Sequence, residues 1–300
     1  MQLRMFLLMV ALALAGALGG CASDSERIDR TASAAGLSRS IVSGTTFRHI
    51  VYRNALVNAP GQLPLRRVAG EGRGGGSSLV TPSANALFVF VDGDGRPWSA
   101  DGLQPRSDPT TRNPLALKLL TQTPAAGIYV SRPCYQQIAD AGCSSESWTS
   151  GRYSGAIVAS IAAATRDAAA SGGFEKIVLV GYSGGGALAV LVAEQLENVA
   201  AVITIAANLD TDAWASYHRY LPLSASLNPA AGNHAHTWRE IHLTGGHDAV
   251  VPAATTVAYF AKYPDASQWP YADFDHVCCW VEQWPEVFAR IVGELGRVTG

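Results

Sequence analysis

The feature that most narrows the fold is an alternation of solid apolar runs with helical segments. Ala86–Val91 (ALFVFV), Gly127–Ser131, Lys176–Val180 (KIVLV), Val199–Ile205 and Glu240–Thr244 all have strand length and are apolar almost throughout. Runs of that kind belong to strands buried on both faces, which occur in parallel sheets. Between them lie helical stretches: Pro114–Leu120, Tyr153–Ala170 with Ile157, Val158 and Ile161 on one face, Gly185–Leu196, Ala253–Ala261 and a final one at Trp284–Leu295. Parallel neighbours need right-handed crossovers, so the pattern predicts an α/β fold, a doubly wound, mostly parallel sheet with helices on both faces. Thr45–Val57 reads as an earlier strand and Trp269–Phe274 as the last. With no internal repeat, residues 45–300 read as one domain. The stretch 208–238, with weak periodicity, reads as an insertion over the sheet's carboxyl edge, where such folds bind ligands.

Composition removes several function classes. Nearly half of the 300 residues are hydrophobic, which excludes a disordered chain. Twenty-two Lys and Arg against 24 Asp and Glu leave no basic stripe for a phosphate backbone, so no nucleic-acid partner is expected. Gly70–Ser78 is rich in glycine but holds neither GxxxxGK[ST] nor a GxGxxG that opens a helix, so it reads as a surface loop.

The N-terminus reads as an address. Arg4 precedes an uncharged apolar run, Met5–Leu18, which ends in Leu18-Gly19-Gly20-Cys21. This ending resembles the lipobox of bacterial lipoproteins. The resemblance implies that residues 1–20 are a signal peptide and that Cys21 is lipidated, giving a membrane anchor. Ala22 in second place implies sorting to the outer membrane, on its periplasmic face. An ordinary cleaved signal with an incidental cysteine is the alternative. Residues 21–44, rich in Ser, Ala and Thr, read as a tether. In an oxidising compartment Cys134 and Cys143, which bracket a short polar loop, are expected to form a disulfide. The adjacent Cys278 and Cys279 could bridge to each other, stay reduced or pair elsewhere.

The chemistry concentrates in the turn after KIVLV. Gly181-Tyr182-Ser183-Gly184-Gly185 is a G-x-S-x-G segment that follows a strand and precedes a helix. Such a turn strains the serine backbone and lifts its hydroxyl above the sheet. Gly181 and Gly185 are required where the chain passes too close to itself for side chains, and the helix N-terminus favours developing negative charge. A nucleophilic serine needs a base, and the base needs a carboxylate to hold its tautomer. In folds with this elbow the chain order is serine, acid, histidine. His276, in the loop after the last strand, is the candidate base. His49 and His242 fall inside strands, His247 adjoins the candidate acid, and His218, His234 and His236 lie in the insertion. Asp248, in the loop after Glu240–Thr244, is the candidate acid, with Asp210 as the alternative one strand earlier. Backbone N–H groups of Gly184 and Asp94 are expected to form an oxyanion hole, with Gly93 allowing the close approach. Asp92-Gly93-Asp94-Gly95 fails as a calcium loop, because Arg96 and Leu103 stand where ligands are needed, and no metal is expected. Trp98, Trp148, Trp214, Tyr217 and Trp238 could line an apolar pocket or belong to the core.

Taken together, GYSGGGALA (181–189), GGHDAVVP (245–252) and DFDH (273–276) resemble the nucleophile, acid and histidine segments of the α/β-hydrolase family over about Ala86–Leu295. VDGDGRPW, DPTTRNPLAL, RPCYQQIADAGC and SWTSGRYS look like a subgroup of bacterial envelope hydrolases. The resemblance implies a serine hydrolase acting on esters or related acyl bonds of small molecules, most simply a carboxylesterase, with no cofactor. A peptidase, an acyltransferase or a non-catalytic binding lipoprotein on the same fold remain the alternatives. The family's HGGG is replaced by DGDG, which leaves the second oxyanion donor open.

Overall fold

A computed structural model describes residues 22–58, 85–232 and 237–296. Cys21, the 70–78 loop, His234 and His236 lie outside the described residues. The sheet is built from β1 (Ser38–Ser43), β2 (Arg48–Arg53), β3 (Ala86–Val91), β4 (Gly127–Val130), β5 (Lys176–Tyr182), β6 (Val199–Ile205), β7 (Arg239–Gly245) and β8 (Ser267–Tyr271), in the order β1-β2-β4-β3-β5-β6-β7-β8. From β4 to β8 all neighbours run parallel, while β2 is antiparallel to both β1 and β4. The helices are α1 (Asp24–Ala34), α2 (Leu115–Thr121), α3 (Gly155–Ser171), α4 (Gly184–Ala193), α5 (Thr211–His218), α6 (Val257–Lys262) and α7 (Trp284–Gly296).

The apolar runs supply two cores because alternate residues of a strand face opposite sides. Leu87, Val89 and Val91 of β3 join Ile157, Ile161, Leu188 and Tyr259 of α3, α4 and α6 on one face. Phe88 and Phe90 join Ile28, Leu119, Trp284 and Phe288 of α1, α2 and α7 on the other. Burying an aliphatic or aromatic side chain fully contributes roughly 1.5–3 kcal/mol. The alternation along ALFVFV therefore ties both helical layers to the sheet. This is the α/β-hydrolase fold.

Several boundaries differ from the sequence reading. Residues 21–44 were expected to be a tether, but residues 24–34 form α1, and 38–43 form the edge strand β1. The helix starts at a reciprocal capping box in which Ser23 Oγ accepts from the Glu26 N–H and Glu26 Oε2 accepts from the Ser23 N–H. Its apolar face is thin, with Ile28 and Ala32 one turn apart and both buried, which is why a search for periodicity overlooks it. The strand expected at 45–57 is confined to β2, and the last strand ends at Tyr271. The helix expected at Ala253–Ala261 is split at Thr256 into a 3-10 turn (Ala253–Thr255) and α6. The insertion contains a helix of its own, α5. Asp210 caps that helix, its Oδ1 accepting from the N–H groups of Asp212 and Ala213.

Because α1 leads into β1, and β1 runs in the same sense as the parallel strands, α1 must run from the sheet's carboxyl edge to its amino edge. Asp24, at its start, pairs with Arg96, the residue that follows the Asp92–Gly95 turn after β3. The described chain thus begins at the edge where β3, β5, β6, β7 and β8 all end.

Candidate active site

At the carboxyl end of β5 the chain turns sharply into α4, and Ser183 occupies the turn with φ 54° and ψ −124°, a left-handed conformation costly for any residue with a Cβ. Its neighbours fix it there. The Ser183 N–H donates to the Ile205 carbonyl at 2.9 Å, and its own carbonyl accepts from Gly186 at 2.9 Å. The crossing is tight enough to exclude side chains. A Cβ on Gly181 would stand 2.2 Å from the Gly185 carbonyl oxygen, and one on Gly185 would stand 2.2 Å from that of Val91.

Three loops bring Ser183, His276 and Asp248 together. His276 Nε2 lies 3.1 Å from Ser183 Oγ, and His276 Nδ1 lies 2.9 Å from Asp248 Oδ2. The other Asp248 oxygen accepts from the N–H groups of Val250 and Val251, both at 2.8 Å, so this buried carboxylate is oriented from both sides. The loop after β8 holds the histidine. Asp275 Oδ1 accepts from the Val277 and Cys278 N–H groups, and these bonds hold its carboxyl below the usual carboxylate range. Tyr182, the variable residue of the elbow, packs its ring 5.2 Å from that of His276 and donates its hydroxyl to the His276 carbonyl at 3.1 Å. The geometry gives a hydroxyl in line with an imidazole whose far nitrogen meets a carboxylate, an arrangement suited to removing the hydroxyl proton.

The remaining candidates lie elsewhere. Asp210 has no part in this chain of hydrogen bonds; besides its capping role it accepts from Asn228 Nδ2 at 3.0 Å. His242 is buried between Thr204 Oγ1 and Glu240 Oε2, and Tyr259 donates to the same Glu240 oxygen. His49 is buried between the Ser131 carbonyl and Ser160 Oγ, and burial pushes its pKa down. His247 is exposed, and His218 meets the Val250 carbonyl. Of the aromatic candidates, Trp148 belongs to the core and Trp238 packs against it, while Tyr217 is exposed.

The turn after β3 lies over the nucleophile. A Cβ on Gly93 would stand 3.0 Å from Ser183 Cβ and 3.5 Å from its Oγ. Gly184 opens α4, where the first N–H groups have no acceptor within the helix. Beside it is a feature that the sequence reading missed. The Asp94 carboxylate is gripped by Arg132 at 2.7 Å, Arg152 at 2.8 Å and the Tyr153 hydroxyl at 2.8 Å, and its carbonyl accepts from Tyr135 at 2.8 Å. Burial alone would raise the Asp94 pKa; the guanidinium groups of Arg152 and Arg132 outweigh it and hold the carboxyl below its ordinary range. The Asp92 carboxylate points the other way, accepting from the Ala116 N–H at 3.0 Å, and burial pushes its pKa up to about 7. Neither arginine belongs to a periodic pattern, so only their position at the end of β4 and before α3 could have pointed to them.

Cys134 and Cys143 are placed as a disulfide pair with Cα atoms 5.6 Å apart, and so are the adjacent Cys278 and Cys279 just beyond His276.

No family model and no curated protein matches the chain. Solved structures do. An esterase of Pyrococcus furiosus superposes with a TM-score of 0.58 at 12% identity, covering 89% of this chain and 93% of its own. The esterase Est1E from Butyrivibrio proteoclasticus gives 0.52 at 14% identity, over 86% of this chain and 98% of its own. A membrane phospholipase A described as a bacterial virulence factor gives 0.54 at 14% identity, over 97% of both chains. At these identities the likeness is one of fold.

Proposed function

We propose that the chain is a serine hydrolase of carboxylic esters working through an acyl-enzyme on Ser183. The observation that carries this reading is the hydrogen-bond chain Ser183–His276–Asp248 placed on a strained strand-to-helix turn. His276 Nε2 takes the hydroxyl proton as Oγ attacks the acyl carbon, then gives it to the departing alcohol. Water, activated by the same imidazole, releases the acid and frees the serine. Asp248 fixes the tautomer by accepting from Nδ1–H and stabilises the imidazolium. The Gly184 N–H at the start of α4 and a second N–H from the Gly93–Asp94 turn receive the oxyanion, and the Arg-clamped Asp94 carboxylate holds that turn against the nucleophile. The chemistry needs no cofactor.

A lipid anchor on Cys21 and a place on the periplasmic face of the outer membrane complete the reading, with both cysteine pairs oxidised there. The test is hydrolysis of p-nitrophenyl acetate. Ser183→Ala and His276→Ala are each expected to lower kcat by at least about 10³-fold with the fold retained. Turnover within tenfold of the wild-type rate in a folded Ser183→Ala protein contradicts the proposal.

A further inference from the structure

Soluble domains scatter their exposed apolar side chains, and a one-sided distribution marks a surface that meets something apolar. Nine large hydrophobic side chains are exposed among the described residues, and only Ile41 lies within the sheet. The other eight sit in connections that leave β3, β6, β7 and β8 at the carboxyl edge. Leu103 follows β3, Val250 follows β7 and Val277 follows β8, each ahead of the next helix. The densest group is in the insertion, where Leu221 is 79% exposed, Tyr217 58% and Tyr220 57%.

That group is built rather than loose. The ring of His218 stacks on Tyr220 at 5.2 Å and meets Tyr217 at 5.0 Å, and Trp214 packs against His218 and Tyr220 at 5.4 and 5.3 Å. Trp214 Nε1 at 2.7 Å and His218 Nε2 at 2.9 Å both meet the Val250 carbonyl, two residues from Asp248. The aromatic platform is thus pinned to the acid loop, and its apolar edges still face outward. From Ala213 to Trp238 the chain has no carboxylate, while Arg219 is exposed beside His218. Asp212, just before, is held by Asn228 Nδ2 at 3.0 Å. The loops of Leu103 and Val277 carry acids, Asp101 and Asp275, and the insertion's own acids, Asp210 and Asp212, precede the platform, so the cationic part of the rim is confined to Arg219 on the platform itself.

The chain outside the structure ends at this same edge. Residues 1–21, with the apolar run Met5–Leu18, precede Ala22, and the Asp24–Arg96 pair fixes the start of α1 beside the turn after β3. Anything that holds the chain by residue 21 holds it by the face on which the site opens.

We propose that the carboxyl-edge rim, with Tyr217, Tyr220 and Leu221 at its centre, is a docking surface for an anionic lipid bilayer, which would hold the Ser183 site open toward the membrane. Tyr and Trp rings favour the headgroup level, where an apolar body and a polar tip are both satisfied, and Leu221 reaches the acyl boundary. Arg219 supplies attraction to anionic headgroups. The surface deepens the hydrolase reading by directing the site to amphiphilic esters presented at an interface, and it rests on that reading only there.

The test uses the full chain in vesicles of phosphatidylglycerol and phosphatidylethanolamine whose acyl chains carry bromine. Leu221→Trp and Tyr217→Trp place fluorescent reporters on the rim, and Ser171→Trp places one on the exposed end of α3 at the amino edge. Bromine in the acyl region is expected to quench the added emission of the rim reporters by at least half and to leave that of Ser171→Trp unchanged. Equal quenching of all three, or none, overturns the proposal, as does failure to sediment with vesicles. A blue shift without quenching, accompanied by a concentration-dependent dimer, assigns the rim to a second copy and overturns it too. None of these readouts depends on turnover, so p-nitrophenyl acetate hydrolysis by the same samples separates failure of the surface from failure of the hydrolase reading.

Discussion

Replacing Ser183 with glycine should stabilise the protein relative to replacing it with alanine, the reverse of the usual order. At most positions glycine costs about 0.5–1 kcal/mol against alanine, because the unfolded chain gains freedom that folding must remove. At Ser183 the backbone has φ 54° and ψ −124°, where a Cβ costs about 1–3 kcal/mol and glycine costs nothing. Alanine keeps the Cβ and therefore the strain, and both variants lose the hydrogen bond to His276 equally. The Ser183 side chain does not cap α4, so no capping energy enters the difference. Strain relief minus the glycine entropy leaves Ser183→Gly more stable than Ser183→Ala by about 1 kcal/mol, or roughly 2–4 °C in Tm for a domain of this size. Urea unfolding of the two variants, with ester hydrolysis measured alongside, reads the difference, and both should be inactive. A glycine variant less stable than the alanine variant by 0.5 kcal/mol or more would refute a strained elbow and the steric argument built on it.

Other perturbations probe the parts around that turn. Gly181→Ala sets a methyl group 2.2 Å from the backbone oxygen of Gly185, which cannot move without shifting α4; a loss of about 3 kcal/mol or failure to fold is expected in thermal unfolding. Arg132→Met leaves Asp94 with one guanidinium in a buried setting, and a loss of about 3–5 kcal/mol is expected. In the fraction that still folds, kcat should fall more than KM rises, since the turn over Ser183 loosens. Asp248→Asn should lower kcat by about 10⁴ with little change in KM, measured in steady state. For Asp92 the folded pKa of about 7 lies above the ordinary carboxylate value near 3.9, so the folded state holds a proton that the unfolded state releases. Its contribution is full below pH 4 and is lost as the pH rises toward 7, by about 4 kcal/mol. Asp92→Asn should therefore flatten the fall in stability between pH 4 and 7, and an unchanged slope in urea titrations would contradict the buried, protonated assignment.

What the sequence reveals here follows how local the signal is. The strands from β3 to β7 are apolar on both faces and need no partner to be recognised. Ser183, Asp248 and His276 sit where strand ends must place them once the order of elements is known. By contrast, α1 buries little more than Ile28 and Ala32, and its capping box is a four-residue signal inside a segment of tether-like composition. The Arg132–Asp94–Arg152 clamp joins residues separated by 38 and 58 positions, and such a pairing leaves no periodic trace. The aromatic platform is similar: Tyr217 looks like core or pocket by composition, and only the fold shows that it faces outward. The exchange of HGGG for DGDG also acquires a physical meaning only in three dimensions, because the first aspartate reaches toward α2 while the second reaches the two arginines.

The central claim, an activated serine, is tested most directly by labelling the folded protein with a fluorophosphonate and locating the adduct by mass spectrometry, with His276→Ala alongside. The account predicts a single adduct on Ser183, formed rapidly in the wild-type chain and lost in the histidine variant. An unlabelled Ser183 in folded protein, or labelling that survives His276→Ala at the wild-type rate, would contradict it.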